Sequence, residues 1–163
     1  MQRSRALKAP LRENRSASDI RLVALRLLAR RDFAVAELRE RLLEKGFEPA
    51  EIEESVTELT AAKALDDARY AENYVAYHAG RGEGPLRIEA RLRRLGVADG
   101  LIEVALAGGP DWRALARRVR QSRFGAKAPC GWPEKARQAR FLQYRGFSAD
   151  HIRAATGADP DLD

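Results

Sequence analysis

Apolar residues recur at helical spacing along much of the chain. Ile88, Leu92 and Leu95 follow i, i+4, i+7, and Trp112, Leu115 and Val119 mark a second stripe. Each stripe reads as the buried face of an amphipathic helix. The pattern also repeats at long range. Three segments align under one another: "LLEKGFEPAEI" (42–52), "LRRLGVADGLI" (92–102) and "LQYRGFSADHI" (142–152). Leu42, Leu92 and Leu142 fall in one column, Gly46, Gly96 and Gly146 in the next. Phe47, Val97 and Phe147 follow, then Ile52, Ile102 and Ile152. Four columns at one period mark an internal repeat.

The columns have a physical reading. The leucine lies on the buried face one turn before the helix ends, and the glycine adopts the left-handed conformation that ends it. The next apolar residue packs under the corner, and the isoleucine opens the buried stripe of the following helix. A further helical stretch precedes each unit: "DIRLVALRLLAR", "DARYAENYVAYHA" and "DWRALARRVRQSR". Ser18, Asp66 and Ser148 are expected N-caps, and Pro85 and Pro133 suit first helical turns. The expected fold is all-α, with three tandem three-helix repeats over 18–66, 67–110 and 111–157. They should form an elongated, curved array in which each repeat touches mainly its neighbours. A basic arm (1–17) and a short acidic tail (158–163) would flank them.

Composition supports the helical reading, since Ala, Leu, Arg and Glu dominate over β-branched and aromatic residues. One cysteine, Cys130, excludes an internal disulfide and fits a reducing cytoplasm. No apolar run is long enough to span a bilayer, so no membrane role is expected. The net charge of +6 is uneven: +4 over residues 1–16, −3 over 17–66, zero over 67–110 and +5 over 111–163. Such polarity points to an anionic partner for the C-terminal end.

A glycine turn between helices also describes DNA-reading helix-turn-helix motifs, whose second helix carries donors into the major groove. Here the first post-turn helix, "EPAEIEESVTEL", is acidic, and "ADGLIEVALAG" carries only acids; both would be repelled by phosphate. The basic residues lie elsewhere. Arg87, Arg91 and Arg94 form one stripe, and Arg113, Arg117 and Arg120 another. Arg123, Lys127, Lys135, Arg137 and Arg140 add to the C-terminal end, and all eleven are candidates for an anion-binding surface.

Catalytic constellations are not assembled. The loop "GRGEGPLRI" lacks the Lys-Ser/Thr pair and the preceding strand of a phosphate-cradling loop, so it reads as a connector. His78 and His151 lack metal-ligand spacing with a second histidine or cysteine. No nucleophile, base and orienting group converge, and neither enzymatic activity nor a cofactor is expected.

Five stretches resemble the RecX family, regulators of the bacterial recombinase RecA: "ALDDARYAENYV" (64–75), "GEGPLRIEARLRRLGV" (82–97), "DWRALA" (111–116) with "KARQARFLQYRGF" (135–147), and "ELRERLLEKGF" (37–47). The resemblance covers about 20–157. It implies a non-enzymatic, cytoplasmic modulator, a monomer that lies in the groove of the RecA–DNA filament. There it would inhibit strand exchange, ATP hydrolysis and cleavage of the SOS repressor, with direct contact to single- or double-stranded DNA as a further possibility. A stand-alone DNA-binding protein is the alternative. The chain departs from the family pattern at Ala34, where a serine is usual, at His78, usually arginine, and at Glu83, usually aromatic. The first change weakens a helix cap; the other two lower the basic and stacking character of the second repeat.

Overall fold

A computed structural model describes residues 17–158 of the protein, and all regular structure among them is helical. The order is α1 (Ala17–Leu28), α2 (Val35–Glu44), α3 (Pro49–Ala61), α4 (Asp67–Gly80), α5 (Pro85–Arg94), α6 (Asp99–Ala107), α7 (Trp112–Phe124), α8 (Trp132–Arg145) and α9 (Ala149–Thr156). The helices pack in threes: α1, α2 and α3 together, then α4 to α6, then α7 to α9. This is the tandem three-helix array read from the sequence. The basic arm lies, apart from Ala17, outside the described residues. Of the acidic tail only Ala158 is described, and it is buried.

Every member of the three apolar columns is core. Leu42, Leu92 and Leu142 are fully buried, and Phe47, Val97, Phe147, Ile52, Ile102 and Ile152 are buried beside them. The glycines between them have φ of +86°, +79° and +91°. Each turn closes with the same two bonds. The glycine amide donates to the residue three before it, at 2.9, 3.0 and 2.9 Å. The next amide donates back to the column leucine, at 3.3, 3.2 and 3.1 Å. This double bond pattern satisfies carbonyls that the helix end would otherwise orphan.

The caps follow local chemistry. The Asp66 carboxylate accepts from Arg69 N at 3.1 Å, and Ser148 Oγ from His151 N at 3.4 Å. Ser18 falls inside α1, which begins at Ala17. Ala34 precedes α2 and has no side chain that can cap; the amide of Val35 donates instead to Asp67 Oδ1, at 2.8 Å, on the first turn of α4. The second repeat thereby caps a helix of the first.

Two seams join the repeats. At the first, the Gly96 turn leans on α2, where a Cβ on the glycine would lie 2.5 Å from Ala36 Cβ. Asn73 Nδ2 also donates to Asp32 Oδ2 at 3.1 Å. At the second, the backbones themselves bond. Gly84 N donates to the Arg145 carbonyl at 2.8 Å and Leu86 N to the Gly146 carbonyl at 3.0 Å. A Cβ on Gly84 would overlap the Gly146 backbone, and one on Gly146 would overlap Arg87. The cores reflect this. Repeats two and three share one buried cluster, reached from the first repeat only by Ala34, whereas the rest of the first repeat has its own.

Candidate anion-binding interface

The tight second seam brings four arginines around one groove of about 370 Å³: Arg81, Arg118, Arg123 and Arg145. Gly82 lets the α4–α5 loop approach α7, for a Cβ there would stand only 3.0 Å from Val119 Cγ2. That approach places Arg81 opposite Arg118 and Arg123. Arg145, near the end of α8, donates through Nη1 to the Arg81 carbonyl at 3.2 Å, its guanidinium 5.4 Å from the centre of the Phe141 ring. Arg81 donates to the Tyr77 hydroxyl at 3.4 Å. No carboxylate lines the groove. Crowded guanidiniums without counter-charge in a concave site favour an anion, and planar guanidinium forks match phosphate or carboxylate oxygens in pairs.

The eleven candidates read from the sequence divide. Arg87 and Arg91 turn inward onto Glu83, at 3.6 and 2.6 Å, and His78 Nδ1 lies 3.3 Å from the same carboxylate. Burial raises the Glu83 carboxyl, but hydrogen bonds from His78 and Arg91 outweigh it and hold the group below its ordinary range. Glu83 thus engages two of the three arginines of the second-repeat stripe. Arg94 stays exposed at its end. Arg113 pairs with Asp150 at 2.7 Å and Arg137 with Glu134 at 2.9 Å, both at the surface.

Arg120 is not on the surface at all. It is 3% exposed, and its guanidinium donates to the Lys127 carbonyl at 3.0 Å, Gln138 Oε1 at 3.3 Å and the Ala126 carbonyl at 3.4 Å. It pins the α7–α8 loop to the third repeat. The i, i+4, i+7 spacing grouped it with the exposed Arg113 and Arg117, but the structure turns it into the core. Arg117, Arg123, Lys127 and Arg140 are exposed and Lys135 half-buried. Of the eleven, only Arg123 lines the groove.

Arg81, Arg118 and Arg145 escape a reading by helical stripes because the groove is tertiary. They sit on three different elements, and Arg118 falls one position off the stripe through Arg117. The +5 charge of residues 111–163 pointed toward Arg118 and Arg145, and no sequence signal pointed to Arg81. The Ser148–His151 pair, 2.9 Å apart, closes the first turn of α9 by a reciprocal cap: Ser148 N also donates to His151 Nδ1. Among the described residues no cluster of three potential metal ligands occurs, and no helix is long and apolar enough to cross a membrane.

The comparisons with known proteins agree along the chain. Residues 21–59 match the first three-helix domain of RecX, 66–106 the second and 111–156 the third. The regulatory protein RecX of Halorhodospira halophila is 45% identical over 145 residues, spanning 88% of this chain and 90% of that protein. That of Vibrio campbellii is 39% identical over 150 residues, spanning 91% and 93%. The crystal structure of RecX from Lactobacillus salivarius superposes with a TM-score of 0.77 over 90% of this chain and 97% of that one; at 22% identity it shows the shared fold. Three consecutive domain matches and this level of identity establish that the chain belongs to the RecX family of regulatory proteins.

Proposed function

We propose that this protein is a non-enzymatic regulator that binds the RecA–DNA filament in its groove and inhibits strand exchange, ATP hydrolysis and SOS co-protease activity. The observation that supports this within the family is the acid-free arginine groove at the seam of repeats two and three. Its four guanidiniums are set to take phosphates of filament-bound DNA. Arg117 extends the same basic α7 surface, and Arg94 and Arg140 are exposed on α5 and α8. The first repeat is acidic, with Glu53 and Glu58 already bound to Arg39 and Arg21 and Glu54 exposed. It would face basic protein surface of the filament. The arrangement spans two partners at once, DNA at one end and protein at the other.

The test is RecA-driven DNA strand exchange with and without the protein. Suppression that DNA alone cannot titrate away supports the reading. Unchanged exchange, or suppression abolished in step with free DNA, favours a stand-alone DNA-binding protein instead. Any direct DNA affinity should fall steeply with salt, because each neutralised phosphate releases counterions.

A further inference from the structure

α6 is apolar on almost every side. Its sequence, DGLIEVALA, has charges only at Asp99 and Glu103. A helix of that character belongs in an interior, yet α6 lies on the outside of the array, with Val104 65% exposed. The matching column of the first repeat carries Glu54, a residue suited to solvent. Between α6 and α4 runs a groove of about 650 Å³ with Val75, Ala79 and Ala105 at its base and Val104, Ala76 and Gly109 along it. It stays open because the side chains bordering it are small.

The groove has a direction. Gly80 and Arg118 line it at one end, and the same two residues line the arginine groove, so the apolar base runs directly into the four guanidiniums. Glu72 also lines it. No aromatic ring lines the apolar part. A nucleic-acid strand would find no stacking platform there, whereas an aliphatic side chain would find a dry seat.

We propose that this groove receives a segment of a partner protein in which aliphatic residues at helical spacing are followed by carboxylates. The aliphatic side chains seat against Val75, Ala79 and Val104, and the carboxylates pair with Arg118 and the arginines beyond. Such a mode is helix-in-groove recognition with an electrostatic clamp at one end. It does not depend on the reading of the protein as a RecA regulator, and its carboxylates would compete with DNA phosphates for the same guanidiniums.

The test uses the full chain and a fluorescein-labelled synthetic peptide with leucines at helical spacing followed by a run of glutamates. Anisotropy should report saturable binding. Replacing the leucines by serine should weaken it by about tenfold or more, the scale set by losing more than one buried aliphatic group. Val104→Glu should do the same and, because Val104 is exposed, leave the far-ultraviolet circular dichroism unchanged; Ala76→Glu, on the facing helix, repeats the test at a second exposed position. Arg118→Glu should weaken binding and reduce its salt dependence. Equal affinity for the leucine-free peptide would overturn the proposal, as would unchanged binding by both Val104→Glu and Ala76→Glu. Displacement of the peptide by oligothymidylate with equal potency in wild type and both variants would mean that only the arginines act, and would also overturn it. No RecA enters the assay, so its failure leaves the RecA reading untouched.

Discussion

The two seams solve one problem in different materials. Where the first repeat meets the second, side chains do the joining: Asp67 caps α2, Asn73 reaches Asp32, and the Gly96 turn leans on a methyl group. Where the second meets the third, main chain bonds to main chain, and glycines on both sides leave no space for a Cβ. A side-chain seam tolerates substitution and local adjustment, because a rotamer or a methyl can give. A backbone seam cannot give without moving a helix, so it fixes whatever is built across it. The arginine groove is built across the rigid seam. Three of its guanidiniums come from α7 and α8 of the third repeat, and the seam brings Arg81 of the second to them.

The comparison can be broken most forcefully at Gly84. Gly84→Val would drive a branched side chain into the Gly146 backbone. It should lower unfolding stability by about 3 kcal/mol or more, at the upper end of overpacking effects. Denaturant melts would measure it, and a loss below about 1 kcal/mol would show that the seam is not rigid. The first seam should be milder and repairable. Gly96→Ala should lose about 1–3 kcal/mol through its left-handed φ and the contact with Ala36. Adding Ala36→Gly should recover the contact part but not the backbone part. Full recovery would mean φ carries no strain, and no recovery that the contact is irrelevant.

Asp67→Ala should lose about 1 kcal/mol, the usual worth of a helix cap, although the cap acts across repeats. Asp67→Asn, which retains an acceptor oxygen, should lose less. The smallest effect is in pH. Glu83 titrates below the ordinary carboxylate range in the folded protein. The stability it contributes is therefore complete above that range, and is lost as pH falls through the depressed folded value. Acid melts of Glu83→Gln should show a shallower loss of stability with falling pH than wild type. Parallel curves would mean that its contacts with His78 and Arg91 contribute nothing.

Much of the fold was legible because it depends on local rules. A leucine, a glycine and an isoleucine at fixed offsets specify a capped helix and the start of the next, and all three copies obey. Asp66 and Ser148 were legible as caps for the same reason. The Asp67 cap was not, since its recipient lies thirty-two residues away on another repeat. The site was less legible. Spacing along a helix says which residues share a face, not whether that face is out. Arg120 shows the limit: it kept the stripe's spacing and became a buried tether. Arg81, Arg118 and Arg145 show the converse, for no one-dimensional pattern links a loop, the middle of one helix and the end of another. Packing of α7 on α8, and the seam that adds Arg81, do that.

The central claim is that the arginine groove on this seam mediates regulation of RecA. The direct measurement is the inhibition of RecA-driven strand exchange by Arg118→Glu/Arg123→Glu, two exposed changes on one helix that leave the seam's backbone bonds intact. The account predicts that the concentration needed for half-maximal inhibition rises by about tenfold or more, as loss and reversal of two phosphate contacts should cause. Inhibition by the folded variant at the wild-type concentration would contradict it.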